Sequence, residues 1–297
     1  MTKYEKGQAV LLVLLGMSII LTVILSILGR SITDVTITFK EEEALRAFSA
    51  AEAGVERALQ TGLYQTGSFE GASFQGSVSG IQENSATFVY PSDVPSGDSA
   101  TVWFVSHDDV TEALTCSGKP CFTGSGMKVC WGTLGTSSSS LTAPAIELTV
   151  VYDTTQGGVN SGDFSSIRLA RATRDPYIGG DGTRNINRFT DVTPASCTIA
   201  SRNYAFSETF NLGALSIPCL GTAGCLINAK VRVLYNNTPA PLGFDVTGFG
   251  LLPSQGKRIE SVGTSGDARR KIEVSKFFSE LPPIFDSAVF GQGGIIK

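Results

Sequence analysis

The chain contains a single histidine, which excludes a zinc site built on two or three imidazoles. Charge is scarce as well: 17% of its 297 residues are Asp, Glu, Lys or Arg, against about 25% in ordinary globular proteins. The net charge of -4 carries no basic excess, so nucleic acid is not an expected partner of the chain as a whole. No G-x-S-x-G elbow, P-loop or G-x-G-x-x-G fingerprint occurs. None of the cysteine spacings is the C-x2-C of a zinc ribbon. The common enzyme signatures are therefore missing. What is plentiful is Gly, Ser, Thr and apolar side chains, the last at 42%. That balance suits a secreted β-rich surface better than a cytosolic enzyme.

Residues 8–29 contain no charge at all. A helix rises about 1.5 Å per residue, so about 20 residues cross a hydrocarbon core, and this run is long enough. Lys3 and Lys6 precede it, and cationic flanks favour the cytoplasmic side. Everything after Arg30 is then translocated. A cleaved signal peptide has an apolar core of about 7–15 residues before a small-x-small site. Here the run is longer, and Ser26-Ile27-Leu28-Gly29 is a poor cleavage site. A plain membrane anchor is the other reading. Against it stands the segment from Glu41, rich in the helix formers Ala and Glu. There Ala44, Phe48, Ala51, Val55 and Ala58 make one apolar stripe, and Glu42 stands four residues before Arg46. One helix over 8–60, about 80 Å long, is expected. Residues 32–39 alternate and are β-branched, which marks a soft point after Gly29. Within the span, Ser18, Thr22 and Ser26 share a face near Gly16. Small and hydroxyl residues let membrane helices approach; equally, the hydroxyls can bond back to their own helix.

From 61 to 80 the composition shifts to Gly, Ser and Thr, the signature of a linker or loop. Short β-type runs follow at 86–90, 101–105, 128–131, 145–152, 226–235, 257–262 and 270–277, the last two forming a hairpin. The fold class is therefore α+β: a long N-terminal helix followed by an antiparallel β-rich region over 81–297. The Gly- and Asp-rich stretch near 175–190 is a candidate division into two subdomains. The tail from 281 either packs on the domain or frays.

All six cysteines, Cys116, Cys121, Cys130, Cys197, Cys219 and Cys225, lie beyond the apolar run. Disulfides in an oxidising compartment are expected. If the first three form one neighbourhood and the last three another, at least one bridge joins the groups. His107-Asp108-Asp109 is the most reactive-looking cluster, although a solvated turn is its ordinary reading. Asp175 and Asp181 lie among glycines and are a weak candidate for calcium, without the D-x-[DN]-x-[DN]-G pattern. Trp103, Trp131 and Tyr152 suit core packing better than a sugar-binding face. Arg168, Arg171 and Arg174 recur every third residue and suit a solvated edge or an anionic partner.

Lys6-Gly7 before a long apolar helix resembles the prepilin signal of type IV pilins and type II secretion pseudopilins. The segment Ala47-Phe48-Ser49-Ala50-Ala51-Glu52-Ala53-Gly54 is similar to the "A-F-x-A-A-E-A-G" helix of PilX-like minor pilins. Residues 259–266 leading to Arg269-Arg270 resemble their C-terminal hairpin. K-type minor pseudopilins are a second resemblance. The resemblance is strong over about the first 60 residues. It implies cleavage between Gly7 and Gln8 by prepilin peptidase, a leader of residues 1–7 and methylation of Gln8. It implies helix packing through Gly16, Ser18, Thr22, Ser26, Phe48, Ala51 and Val55. The partners implied are other pilin subunits, the peptidase and an inner-membrane assembly platform. The protein would reside in the membrane before assembly and at the cell surface or in a pilus afterwards. The chain departs from the family in having Gln8 where phenylalanine is usual and Leu12 where glutamate is usual. The missing glutamate points to a minor subunit for initiation, tip or adhesion. The expected activity is structural, with neither catalysis nor a cofactor. The alternative is a membrane-anchored surface adhesin that never enters a filament.

Overall fold

The computed structural model describes residues 8–179 and 184–280. Helix α1 (Gln8–Thr61) is unbroken for 54 residues. The expected soft point at 32–39 stays helical. Its threonines turn inward, Thr33 donating to the Gly29 carbonyl at 2.9 Å, Thr36 to Ile32 at 2.8 Å and Thr38 to Asp34 at 3.0 Å. Within the span Ser18 donates to Leu15 at 2.8 Å and Thr22 to Ile19 at 2.8 Å, so these hydroxyls bond to their own helix. Gly62, at φ 69°, stops the helix with its N–H on the Ala58 carbonyl at 2.8 Å.

Sixteen strands follow among the described residues: β1 (Gln65–Phe69), β2 (Ala72–Gly80), β3 (Thr87–Val89), β4 (Ser99–Trp103), β5 (Ser106–His107), β6 (Leu114–Thr115), β7 (Gly126–Thr133), β8 (Ala145–Asp153), β9 (Ile167–Asp175), β10 (Thr190–Asp191), β11 (Cys197–Ile199), β12 (Arg202–Asn211), β13 (Leu226–Leu234), β14 (Leu242–Asp245), β15 (Gly256–Ser265) and β16 (Ala268–Phe277). The architecture is α+β, a long apolar helix followed by an antiparallel β-rich region. Two compact units are present, 1–78 with 259–274, and 79–258 with 275–297.

In the first unit the strands run in the order β1-β2-β15-β16. The Gly- and Ser-rich stretch expected as a linker over 61–80 is a hairpin instead. Glu70 and Gly71 both take positive φ, 45° and 79°, as a two-residue turn of the twisted hairpin type requires. Ala72 and Phe74 then alternate inward. Composition hid that period of two. Against this sheet α1 buries Ala47, Ala50, Ala51, Gly54, Val55 and Ala58. Ala50 meets Ala72 and Phe74, while Val55 and Ala58 meet Ile259. The stripe differs from expectation at Phe48, which is 45% exposed. The covered face runs through the small residues because β15 passes almost against the helix backbone. A Cβ on Gly263 would lie 1.9 Å from the Ala47 carbonyl oxygen.

The second unit stacks two five-stranded sheets, β10-β9-β8-β13-β4 and β11-β12-β7-β14-β3, beside the small pair β5-β6. Phe88, Val102, Phe104, Met127, Trp131, Leu148, Phe206 and Val231 close one core between them. The pairs are antiparallel except β10 on β9. Residues 175–190, considered as a division, link those two adjacent strands of one sheet and lie inside the unit. Strand β12 was not among the expected runs, although Tyr204, Phe206 and Phe210 alternate inward along it.

All six cysteines are paired, as Cys116–Cys121, Cys130–Cys197 and Cys219–Cys225. The second bridge joins the two sequence groups and spans 67 residues, against 5 and 6 for the others. Chain-entropy arithmetic makes it worth about 4 kcal/mol, against about 2 kcal/mol for each short loop. Replacing Cys130 and Cys197 by serine is expected to lower the urea midpoint about twice as far as removing either short bridge, measured on the purified chain.

Candidate functional site

Two kinds of surface bear on function: the bare helix and the polar clusters of the second unit. Large apolar side chains over 10–39 are about half to two-thirds exposed, including Leu12 at 66%. The segment from Val10 is long and apolar enough to cross a membrane, and none of its most apolar stretch is covered. The helix is thus compatible with membrane anchoring. Beyond the charge-free run, Ile32, Val35 and Phe39 extend the spacing of Leu21, Leu25 and Leu28, at steps of four and three. That continues one apolar seam past the span, on a helix exposed around it. Sequence reading took 32–39 as a soft point within one long helix and missed the seam; counting at the heptad period reveals it. Leader residue Gly7 lies outside the described residues, as does the side chain of Gln8. Gly16 has nothing within 4 Å of a Cβ. Glu42 and Arg46 pair on the exposed helix, as expected.

The His107-Asp108-Asp109 cluster divides. Asp108 closes a turn, accepting from the backbone N–H of Val110 at 3.0 Å and of Thr111 at 2.8 Å, and from the Thr111 hydroxyl at 2.9 Å. Those bonds hold its carboxyl down at about 2. Asp109 pairs with Lys119 at 2.6 Å. His107 is not solvated but buried, the residue being 7% exposed. Its ring stacks on Phe278 at 3.7 Å and meets Trp103 edge-on at 4.6 Å. Burial pushes the imidazole down to about 4, outweighing the opposing pull of Glu112. The cluster assembles no nucleophile, and its three side chains point to different partners.

Asp175 is buried and engaged. Its carboxylate lies 2.9 Å from Arg184 Nη2 and accepts from Arg184 Nε at 3.1 Å, Asn187 Nδ2 at 2.9 Å and the Tyr177 N–H at 3.0 Å. Arg184 lies over the Tyr235 ring at 4.0 Å and donates to the Ala143 carbonyl at 2.8 Å. A calcium ion at Asp175 would have to displace that guanidinium. Asp181, the other expected ligand, is outside the described residues. Among the described residues no three His, Cys, Asp or Glu side chains are grouped to hold a metal ion.

The arginines share β9 but not a face. Alternation puts Arg168 and Arg174 on one side and Arg171 on the other. Arg171 lies 3.7 Å from Glu147; Arg174 pairs with Glu208 at 3.2 Å and covers the Phe210 ring. They form no single anion patch. Trp131 is fully buried with its Nε1 on the Pro144 carbonyl at 2.7 Å, while Trp103 packs on His107 and Tyr152 against the core. The three aromatics line no common surface.

No protein-family model, curated protein or solved structure matches this chain.

Proposed function

We propose that the chain is a pilin-like structural subunit, a minor type IV pilin or pseudopilin that serves filament initiation, the tip or adhesion. The observation that carries this reading is the division of labour along one helix. Residues 47–58 are locked under the β1-β2-β15-β16 sheet, whereas 10–39 present apolar side chains to their surroundings. In lipid that surface is satisfied by acyl chains. In a bundle of like helices it is satisfied by neighbouring apolar side chains, so the exchange leaves little apolar area exposed to water. The sheet clamped on the distal half keeps the strands of the first unit on the helix. On this reading residues 1–7 are removed after Gly7 and the new terminus at Gln8 is methylated. Assembly-platform proteins and other pilin subunits are the partners. Leu12 offers no carboxylate to an earlier subunit's amine, which suits a first or terminal position.

The test is the N-terminal mass of the full chain from cells with and without prepilin peptidase. The expected mature form begins at methylated Gln8 and requires the peptidase. An intact terminus in both strains overturns the reading and leaves a membrane-anchored surface adhesin.

A further inference from the structure

Strand β16 ends at Phe277, and the next residues are pinned inside the second unit at two points. Phe278 stacks flat on the His107 ring, with 3.7 Å between centroids and 13° between planes. Glu280 receives a hydrogen bond from the Thr101 hydroxyl. The His107 ring acts here as an apolar plate, since Nδ1 is buried and has no hydrogen-bond partner. Among the described residues the charged groups around it are engaged. Lys119 donates to the His107 carbonyl at 2.9 Å and pairs with Asp109. Lys257 donates to the Asp109 carbonyl at 2.6 Å and lies 3.5 Å from Glu112. Lys276 holds Glu112 at 2.7 Å, and Asp108 is taken up by its own turn. Among the described residues the acid that favours an imidazolium, Glu112, is thus shared between two lysines. A second proton on the ring would find no acceptor at Nδ1 and two cations nearby.

We propose that His107 and Phe278 form an acid-released latch that fastens the chain after β16 to the flank of the second unit. The stack suits a neutral imidazole. A charged one gains cation–π attraction to Phe278, about 0.5–2 kcal/mol, but an unpaired buried charge costs several kcal/mol. The loss exceeds the gain, so the closed latch resists protonation, in keeping with an imidazole held down at about 4. An open latch exposes the ring, which then takes its proton near the ordinary ~6.5. The open state therefore binds more protons, and falling pH favours it. Closure weakens about tenfold per pH unit from ~6.5 down to about 4, roughly 300-fold in all, and stays level below that.

The chain has one histidine, so protein labelled with carbon-13 histidine yields a single imidazole signal to titrate. In the full chain in detergent the midpoint is expected above the closed-state value of about 4 but well below ~6.5, because a latch that acid opens titrates between its closed and open values. Phe278→Ala is expected to move it toward ~6.5. A wild-type midpoint near 6.5, or a midpoint that Phe278→Ala leaves in place, overturns the latch. Hydrogen exchange of the peptide ending at Glu280, corrected for intrinsic pH dependence, supplies a second readout. Its protection should fall with acid in the wild type and stay level in His107→Phe, which keeps a stack but cannot titrate. Equal acid loss in both chains overturns the assignment to His107.

Discussion

Gly263→Val is expected to unseat the sheet of the first unit from its helix and remove about 3 kcal/mol or more of stability. Overpacking commonly costs about 1–3 kcal/mol, because flexible side chains give way. Here the obstacles are the Ala47 carbonyl oxygen at 1.9 Å and the Ala51 amide nitrogen at 2.6 Å from the added Cβ. Both belong to helix backbone, which cannot rotate aside without breaking its own ladder. Strand β15 would have to lift, exposing the contact of Ile259 with Val55 and Ala58. Gly29→Ala is the matched control: nothing lies within 4 Å of its Cβ, and alanine favours helix. Thermal unfolding of both variants in detergent makes the comparison. An unchanged midpoint for Gly263→Val would mean that β15 is not seated on Ala47. If the filament reading holds, the same variant should also fail to appear in filaments, since the sheet of the first unit no longer seats on the helix.

Arg184→Ala is expected to destabilise the second unit by about 3–5 kcal/mol, the usual cost of stranding one partner of a buried ion pair. Side-chain exposure is 5% for Arg184 and 4% for Asp175, so solvent cannot replace the lost guanidinium. The substitution also removes the donor to the Ala143 carbonyl and the cation over Tyr235. Both charges can be removed together as a check. Arg184→Met with Asp175→Leu leaves neither partner stranded and should recover much of the loss, because an apolar pair of similar size is often neutral. Urea unfolding of the three chains decides the matter. Equal losses in the single and double variants would show that geometry, rather than uncompensated charge, carries the effect.

Length and periodicity alone carried the reading of the N-terminal helix. A charge-free run of spanning length, followed by Ala and Glu at helical spacing, specifies one long helix through local hydrogen bonds that need no partner. The α+β class followed from β-branched runs between turn residues, and the odd count of cysteines in each group required a bridge between them. Tertiary structure decided the rest. Phe48 and Ala51 both fit an apolar stripe, and only the approach of β15 through Gly263 determines that the small side of the helix is the covered one. Residues 61–80 have the composition of a loop, yet they pair because β15 offers β2 an edge. His107 belongs to a polar tripeptide, but Phe278, 171 positions away in the chain, makes it an interior residue. Asp175 among glycines suggests a cation site until Arg184 is brought against it. Local sequence fixes backbone period and span, because those depend on neighbours within a few residues. Which face is covered, and which partner a charge meets, depends on contacts between distant segments that no local pattern encodes.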